Sequence, residues 1–494
     1  MFEVIKKVVS TFRKPGAFFL LVALVVGTVI VVVLPPFRGP DEAAHVFRVY
    51  QLTSGSVLLQ KGTTEDGHDG LGYAIPDAIQ RTNIAAFQEK GDSLTDRMHA
   101  LYKAGTKKTT DTTQFQTFEG AGIYPPTSYA NYLPASAVMK ALKTNAYVYI
   151  LLLRLSGLLI CIALIYMAIR IIPFGKWLLV AIGLLPMSLH QMSVVSADGL
   201  IIASSILFCA VILYLRKTYD TFGVNKRKTL LMVVTLTVLA VILSSKPGYW
   251  PILFLLFLVP PSPKELFRKP AVVLTMVAAF AACLFLVWFA FISVNNQSDT
   301  KHFFEQANYH SKLVSKHQVL HQAVNPVSLG ERFIETYVIQ PYYPRIPKDF
   351  IANFQPSFIF DTFTGVFGSL EAYPPSWMAV TVVSSLFIAF SVEPVALGVG
   401  KLRKYDRLIS LLLMVAGAGM LSLIFWLSWT AEDMPFIFGL QGRYFLPILP
   451  LLLFALPRKK VLTAKPSSLV SLLSILIVVN SVISLLTIYN YFYY

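Results

Sequence analysis

The sequence alternates apolar runs with polar segments, and most of the apolar runs are long enough to form a membrane-spanning helix. Such runs number about eleven. Two of them, 229–244 and 248–261, are short, and each is compatible with a full span or with part of a helical hairpin that crosses incompletely. The runs cover residues 17–36, 146–171, 176–193, 197–215, 229–244, 248–261, 271–293, 376–398, 408–430, 440–457 and 468–490.

This pattern predicts an all-α integral membrane protein with about eleven transmembrane helices and two long extracytoplasmic loops. Within the first loop, the segment PDAIQRTNIAAFQEK predicts a short surface helix. The predicted parts are a cytoplasmic N-terminus with the first transmembrane helix (1–36), a first extracytoplasmic loop with an acidic motif (37–145), transmembrane helices 2–7 (146–293), a second long extracytoplasmic loop (294–375) and transmembrane helices 8–11 (376–494).

The distribution of charge gives the expected orientation. Net charge is +16, and only 14% of the residues are charged, against about a quarter in soluble domains. With the N-terminus inside, the cytoplasmic segments carry 22 basic and 4 acidic residues, whereas residues 37–145 carry 11 of each and residues 294–375 carry 6 and 7. This asymmetry predicts a multi-pass cell-membrane protein with a cytoplasmic N-terminus and an extracytoplasmic C-terminus. The excess charge then contacts anionic lipid, and it does not indicate a nucleic-acid partner.

The segment PPFRGPDEAAHVFRVYQLTSG, where the first apolar run ends, carries the strongest chemical signal. A helix that starts after Pro40 places Asp41 and His45 on one face, with Glu42 and Arg48 nearby. A carboxylate here could take a proton from an acceptor hydroxyl. Alternatively, Asp41, Glu42 and His45 could hold a divalent cation such as Mg or Mn, although the sequence does not establish any cofactor. Ordinary capping of the helix by the two acids is the other interpretation.

Four further ionisable residues lie at or near the predicted outer helix ends, where charges are costly and usually functional. Arg443 and Lys246 are candidate ligands for an anionic phosphate, although either could instead extend towards lipid headgroups or water. Arg154 is a third candidate; it lies about two turns inside its helix and needs an interior partner. Asp198 is a possible partner, and a purely structural ion pair is the alternative to a functional role.

Two features of the second long loop carry weaker signals. His310, His317 and His321 include one i, i+4 pair, but zinc needs further ligands in a defined geometry, so solvated histidines are the favoured interpretation. The aromatic segment PYYP (341–344) and the C-terminal segment YNYFYY (489–494) are typical of interfacial belts, and the first could also stack on sugar rings.

Several short motifs together resemble a bacterial family of predicted polytopic membrane proteins related to the C-type (GT-C) glycosyltransferases. The family commonly has P-D-E-P-A-H after its first helix, and Ala43 replaces the second proline here while both acids remain. The matching motifs occur in the family's order and cover most of the chain. They are P-D-E-x-x-H (40–45), YPPTSYANYLP (124–134), SADG (196–199), SKPGY (245–249), FTGVFGSLEAYPP (363–375) and QGRYFLPILP (441–450).

The resemblance implies a GT-C-like fold and a membrane glycosyltransferase. Such an enzyme would move a sugar from a polyprenyl-phosphate sugar donor to a cell-envelope glycan or lipid-linked acceptor on the outer face of the membrane. It also implies that Asp41 is the catalytic base and that Glu42 is its partner or a metal ligand. His45, Arg48 and Asp198 are then supporting residues.

Three other functions are compatible with the same membrane setting. A lipid-linked oligosaccharide ligase or polymerase would also need outer basic residues. A flippase or transporter of envelope glycans would favour internal repeats and charges near the midplane, and the sequence shows neither pattern. A non-catalytic envelope scaffold would not depend on the chemistry of Asp41.

Overall fold

The protein is described by a computed structural model. The predicted seventh run (271–293), the three histidines of the second loop and PYYP (341–344) all lie outside the described residues. The structure describes residues 14–87, 94–108, 112–218, 226–259, 325–339, 358–393, 404–430, 436–456 and 461–494.

The described chain is mainly helical. Between the α-helices lie irregular helical segments: 3-10 turns at Pro126–Tyr129, Pro247–Tyr249 and Phe254–Leu258, a π turn at Glu335–Ile339, and a longer 3-10 segment at Gly442–Leu451. The α-helices are α1 (Pro15–Val33), α2 (Glu42–Thr53), α3 (Asp77–Ala86), α4 (Leu94–Gly105), α5 (Glu119–Gly122), α6 (Leu133–Ala141), α7 (Ala146–Ile171), α8 (Lys176–Gly183), α9 (Pro186–Ser193), α10 (Ala197–Lys217), α11 (Lys226–Ser244), α12 (Trp250–Leu253), α13 (Pro326–Ile334), α14 (Phe358–Thr364), α15 (Trp377–Val392), α16 (Lys404–Trp429), α17 (Leu452–Ala455) and α18 (Pro466–Tyr493).

In the part of the chain that the structure describes, fewer helices than predicted are long enough to cross a membrane alone. Within the described ranges, five helices have the required length and hydropathy: α1, α7, α10, most of α16, and α18. Four shorter apolar helices occupy Leu230–Ser244, Pro247–Leu258, Trp377–Val392 and Gly442–Ala455. The prediction of an all-α membrane bundle therefore holds in outline, but the structure does not support about eleven separate spans.

Proline explains why two predicted spans are not single α-helices. The run 176–193 divides into α8 and α9, and α9 begins at Pro186, which lacks the N–H needed to continue a helix. The run 440–457 is a 3-10 helix over Gly442–Leu451 that contains Pro447 and Pro450, followed by α17. Both segments are buried among other helices, which is where irregular backbone is tolerated at membrane depth.

The first predicted loop contains strands, which the all-α prediction missed. Three strands, β1 (Gln60–Thr63), β2 (Asp69–Pro76) and β3 (Thr113–Thr117), form an antiparallel sheet in the order β1-β2-β3. Gly72 in the central strand pairs with Gln60 on one side and Thr117 on the other. The surface helix predicted after this strand is α3, so that prediction is confirmed.

Helix α10 forms the centre of the bundle, since 94% of the residues in its most apolar 18-residue stretch are buried. At its far end, Arg216 forms an ion pair of 2.7 Å with Asp406 of α16, and both side chains are fully buried. At its near end, Asp198 lies in the first turn. The Tyr493 hydroxyl donates to the Val33 carbonyl at 2.7 Å, so α1 and α18 end side by side.

Candidate functional site

The turn that follows α1 presents Asp41. This residue precedes α2 in a left-handed conformation, with φ of 55°, and its carboxylate makes no capping hydrogen bond to the helix. Its side chain is 70% exposed. Left-handed backbone is uncommon for a residue other than glycine and concentrates at functional sites, although aspartate tolerates it better than most. Asp41 is therefore displayed towards solvent rather than used to cap α2.

Glu42 points the opposite way, into the protein. Its carboxylate is buried and accepts hydrogen bonds from the backbone N–H groups of Gly39 (3.0 Å) and Val195 (2.9 Å). Two further bonds come from the Arg154 guanidinium, at 2.7 and 2.5 Å. This saturates both carboxylate oxygens, so the roles implied for Glu42, partner of the base or metal ligand, do not fit. Asp198, considered as a possible partner of Arg154, pairs with Lys246 instead.

Arg154 is committed to the protein interior. Besides Glu42, its guanidinium donates to the backbone carbonyls of Val31 (3.3 Å), Leu34 (2.5 Å) and Pro35 (2.8 Å). An arginine has five N–H donors, and all of them are accounted for. Arg154 therefore has no donor left for a phosphate, and its sequence-based assignment to donor binding is corrected. It fixes the end of α1 and the turn that presents Asp41.

Arg443 is the cation that contacts Asp41. It lies at the start of the Gly442–Leu451 3-10 helix with only 3% of its side chain exposed. Its Nη2 lies 3.3 Å from Asp41 Oδ2 and 3.1 Å from the Tyr444 hydroxyl, and its Nε lies 3.8 Å from Asp198 Oδ2. Within the described residues Nε makes no hydrogen bond. A buried guanidinium N–H in this state can still donate to an anionic ligand.

Lys246 completes the cationic part of the site. It precedes the Pro247–Tyr249 turn at the end of α11, and its ammonium group donates to Asp198 Oδ1. The ammonium lies 4.7 Å from the ring centre of Tyr124 and 5.7 Å from that of Tyr444. The two rings shield the cation from water and add cation–π attraction. The Tyr249 hydroxyl donates to the Tyr444 carbonyl at 3.1 Å, which ties this turn to the Arg443 segment.

His45 lies one turn after Asp41, as predicted, and is buried. Its Nδ1 is hydrogen-bonded to the Tyr129 hydroxyl at 2.8 Å, and its ring stacks near Tyr124 with centroids 6.1 Å apart. Burial lowers the pKa of His45 to about 4, although the nearby Asp41 carboxylate acts in the opposite direction. His45 is therefore neutral at physiological pH, and it supports the tyrosines that frame the site.

Arg48 lies beneath the site and does not open into it. Its guanidinium is fully buried and donates to the Gln51 side chain (2.6 Å) and to the carbonyls of Val57 (2.8 Å) and Tyr124 (3.1 Å). Burial lowers its pKa from the ordinary arginine value. Arg48 thus holds the backbone of Tyr124, whose ring covers Lys246.

The site brings together residues from four separated motifs: Asp41, Asp198, Lys246 and Arg443, with His45 behind them. Sequence reasoning missed the tyrosines around the cations and a neighbouring ion pair, Arg38–Glu371, at 3.2 Å. The sequence did contain a signal for these residues, because every quoted motif contributes at least one residue to the site. The missed residues are Arg38 from PPFRGPDEAAHVFRVYQLTSG, Tyr124 and Tyr129 from YPPTSYANYLP, Tyr249 from SKPGY, Glu371 from FTGVFGSLEAYPP and Tyr444 from QGRYFLPILP.

The metal site considered for Asp41, Glu42 and His45 is not assembled. Glu42 faces Arg154, and His45 Nδ1 is taken by Tyr129. In the part of the chain that the structure describes, no three His, Cys, Asp or Glu side chains lie close enough together to hold a metal ion.

Comparison with known proteins places the chain in a family. The model of the predicted membrane protein family DUF2142 matches residues 24–452, which includes every residue of the site described above. The chain belongs to the DUF2142 family. No curated protein and no solved structure matches the chain. Membership of DUF2142 agrees with the bundle of apolar helices and with a membrane location.

Proposed function

We propose that this DUF2142 protein is a GT-C-type glycosyltransferase that uses a polyprenyl-phosphate sugar as its sugar donor. The observation that carries the proposal is the contact between an exposed carboxylate, Asp41, and a buried guanidinium, Arg443, at one end of a membrane bundle. Glycosyl transfer from a lipid phosphate needs both parts: a base for the acceptor hydroxyl and a cation for the departing phosphate.

The two cations of the site suit a phosphate leaving group. Arg443 can bind two phosphate oxygens through its fork, and Lys246 supplies a point charge beside it. The Asp41 carboxylate holds one guanidinium nitrogen at 3.3 Å but is 70% exposed, so an arriving phosphate can displace it. Asp198 pairs with Lys246 and lies 3.8 Å from Arg443, so it holds both cations in place while the sugar donor binds.

Displacement from Arg443 leaves Asp41 able to accept a proton. The acceptor oxygen then forms a bond to the anomeric carbon while the bond from that carbon to the phosphate oxygen breaks. The hydroxyl proton goes to Asp41, and the negative charge on the departing polyprenyl phosphate is balanced by Arg443 and Lys246. A single base of this kind favours an inverting displacement, because the two described carboxylates that flank Asp41 and the cations are already committed: Glu42 is saturated and Asp198 is paired.

The position of the site in the bundle agrees with a membrane-embedded sugar donor. Asp198 and Arg216 occupy opposite ends of α10, separated by 18 residues or about 27 Å of helix, which approaches the thickness of the hydrocarbon core. In the sequence, Arg216 is followed by four further basic residues before the next apolar run: Lys217, Lys226, Arg227 and Lys228. The positive-inside rule therefore favours an extracytoplasmic site, a cytoplasmic N-terminus and an acceptor in the cell envelope.

A comparison of envelope glycans tests the proposal. One strain lacks the gene, a second carries Asp41→Asn, and a third carries Asp66→Asn, an exposed aspartate in the β1–β2 turn of the same loop. We expect one sugar to be missing from the first two strains and present in the third. Retention of that sugar in the Asp41→Asn strain would refute the assignment of Asp41. A change in polymer length or export, with composition intact, would favour the ligase or transporter.

A further inference from the structure

A second polar cluster adjoins the Asp41 site, and the mechanism above does not use it. Arg38 Nη2 and the Tyr491 hydroxyl both donate to Glu371 Oε2, each at 3.2 Å. Arg38 is three residues from Asp41, a stretch that spans at most about 11 Å. The cluster of Arg38, Glu371 and Tyr491 therefore lies close to the proposed base.

The loop that carries Glu371 is held in an unusual conformation. Leu370 has a φ of 67° and Gly368 a φ of 66°, and left-handed backbone at a leucine costs about 1–2 kcal/mol. The Ser369 hydroxyl donates to the Gly39 carbonyl at 3.3 Å, which ties this loop to the turn before Asp41. Strain that is maintained by such contacts concentrates at ligand-binding positions.

The end of α18 forms another wall of the cluster. Tyr491 donates to Glu371, the ring centre of Phe492 lies 5.3 Å from the Arg38 guanidinium, and the Tyr493 hydroxyl donates to the Val33 carbonyl. Three consecutive residues of the last helical turn thus contact the segment that leads to Asp41. An interfacial belt alone does not require these polar contacts to the site.

The cluster retains unused hydrogen-bonding capacity. Within the described residues, the Arg38 guanidinium makes no hydrogen bond besides the one to Glu371, so several of its N–H groups remain available. Among the described residues, Glu371 Oε1 accepts one hydrogen bond, a long one of 3.4 Å from the Ser369 N–H. The Arg38 and Glu371 side chains are 17% and 23% exposed, so a ligand can reach both. Beside them, the Phe87 ring is 47% exposed and its centre lies 4.6 Å from the Arg38 guanidinium.

We infer that Arg38, Glu371 and Phe87 form a subsite for a neutral sugar residue of the acceptor glycan. A sugar hydroxyl both donates and accepts, so adjacent hydroxyls match an arginine beside a carboxylate, and the apolar face of the ring packs on an exposed aromatic. A phosphate fits less well, since the Glu371 carboxylate already neutralises the guanidinium and would repel a second anion. Naming the bound sugar as the acceptor rests on the proposed function, but the binding itself does not.

Saturation-transfer NMR on the full chain in detergent tests this inference. The probe is the neutral oligosaccharide fraction released from the envelope by mild acid and freed of phosphorylated species. Arg38→Ala, Glu371→Ala and Phe87→Ala are compared with wild type. The matched control is Arg81→Ala, which removes the exposed Arg81–Asp77 pair (3.4 Å) from α3. We expect wild type and the control to bind, and each of the three variants to bind about tenfold more weakly.

Absence of oligosaccharide binding to wild type, or unchanged binding in all three variants, would overturn the subsite. Phe87→Ala keeps the result interpretable if the charge variants fold poorly, because it removes an exposed ring and leaves the ion pair intact. Failure of the sugar subsite and failure of the proposed glycosyltransferase function give different results. Loss of binding in the three variants, combined with a normal glycan composition in the deletion strain, would retain the sugar subsite and reject glycosyl transfer.

Discussion

Arg443 Nη2 lies 3.3 Å from Asp41 Oδ2, although 402 positions of sequence separate the two residues. The arginine is almost fully buried and the aspartate is mostly exposed. An ion pair with one mobile, hydrated partner is weaker than one with two buried partners, so Asp41 can exchange its place on Arg443 with another anion. This relationship places a potential base and a potential phosphate ligand in direct contact.

Replacement of Arg443 tests whether its guanidinium group binds phosphate through two N–H groups at once. Arg443→Lys retains the charge but loses bidentate binding, and we expect transfer activity to fall about 100-fold, with a larger loss for Arg443→Gln. The rate of sugar transfer by each purified variant measures these two losses of activity. Arg81→Lys on α3 is the matched control and should retain full activity. Wild-type activity in Arg443→Lys would show that the fork geometry has no part in the reaction.

Removal of the Arg154 side chain should destabilise the protein. Arg154→Met leaves the Glu42 carboxylate buried without its cation, and loss of one member of a buried ion pair costs about 3–5 kcal/mol. Thermal unfolding in detergent measures the effect, with Arg81→Met as a control that should change stability by less than about 0.5 kcal/mol. An Arg154→Met protein that is as stable as wild type but binds no sugar donor would instead support the assignment of Arg154 as a phosphate ligand.

His45 should make stability depend on pH. Its pKa falls from 6.5 to about 4 on folding, so between these values the unfolded chain binds a proton that the folded protein excludes. The contribution of His45 to stability should therefore decrease as pH falls from about 6.5 towards 4, by about 3 kcal/mol in total, and should be constant above this range. Thermal unfolding of wild type and His45→Gln across this range provides the test. A constant difference between the two proteins at every pH would contradict it.

Much of the site could be predicted from the sequence because charges in apolar surroundings are conspicuous. Asp41 and Lys246 lie just outside apolar runs, Asp198 and Arg443 lie near the start of one, and the structure brings all four together. The partners of these charges could not be predicted. Whether Glu42 or Asp198 pairs with Arg154 depends on how α2 crosses α7, and sequence spacing does not determine that crossing.

The fold, like the site, could be predicted from the sequence only in part. Hydropathy located the ends of α7 and α10 within a few residues, since both are long and uniformly apolar. It could not show that the runs 176–193 and 440–457 are broken or tightly wound. In those runs the position of Pro186, Pro447 and Pro450 decides the local backbone, while the average hydropathy remains high. The sheet of the first loop was missed because its two outer strands, β1 and β3, are short and polar.

The most direct test of the account uses the full chain reconstituted in liposomes. The sugar absent from the deletion strain is supplied with a label, either on polyprenyl phosphate or on a nucleotide, together with envelope acceptor from that strain. We expect label to reach the acceptor from the polyprenyl phosphate alone, with wild-type protein but not with Asp41→Asn. Transfer from the nucleotide sugar, no transfer by wild type from either sugar donor, or equal transfer by Asp41→Asn would contradict the proposed function.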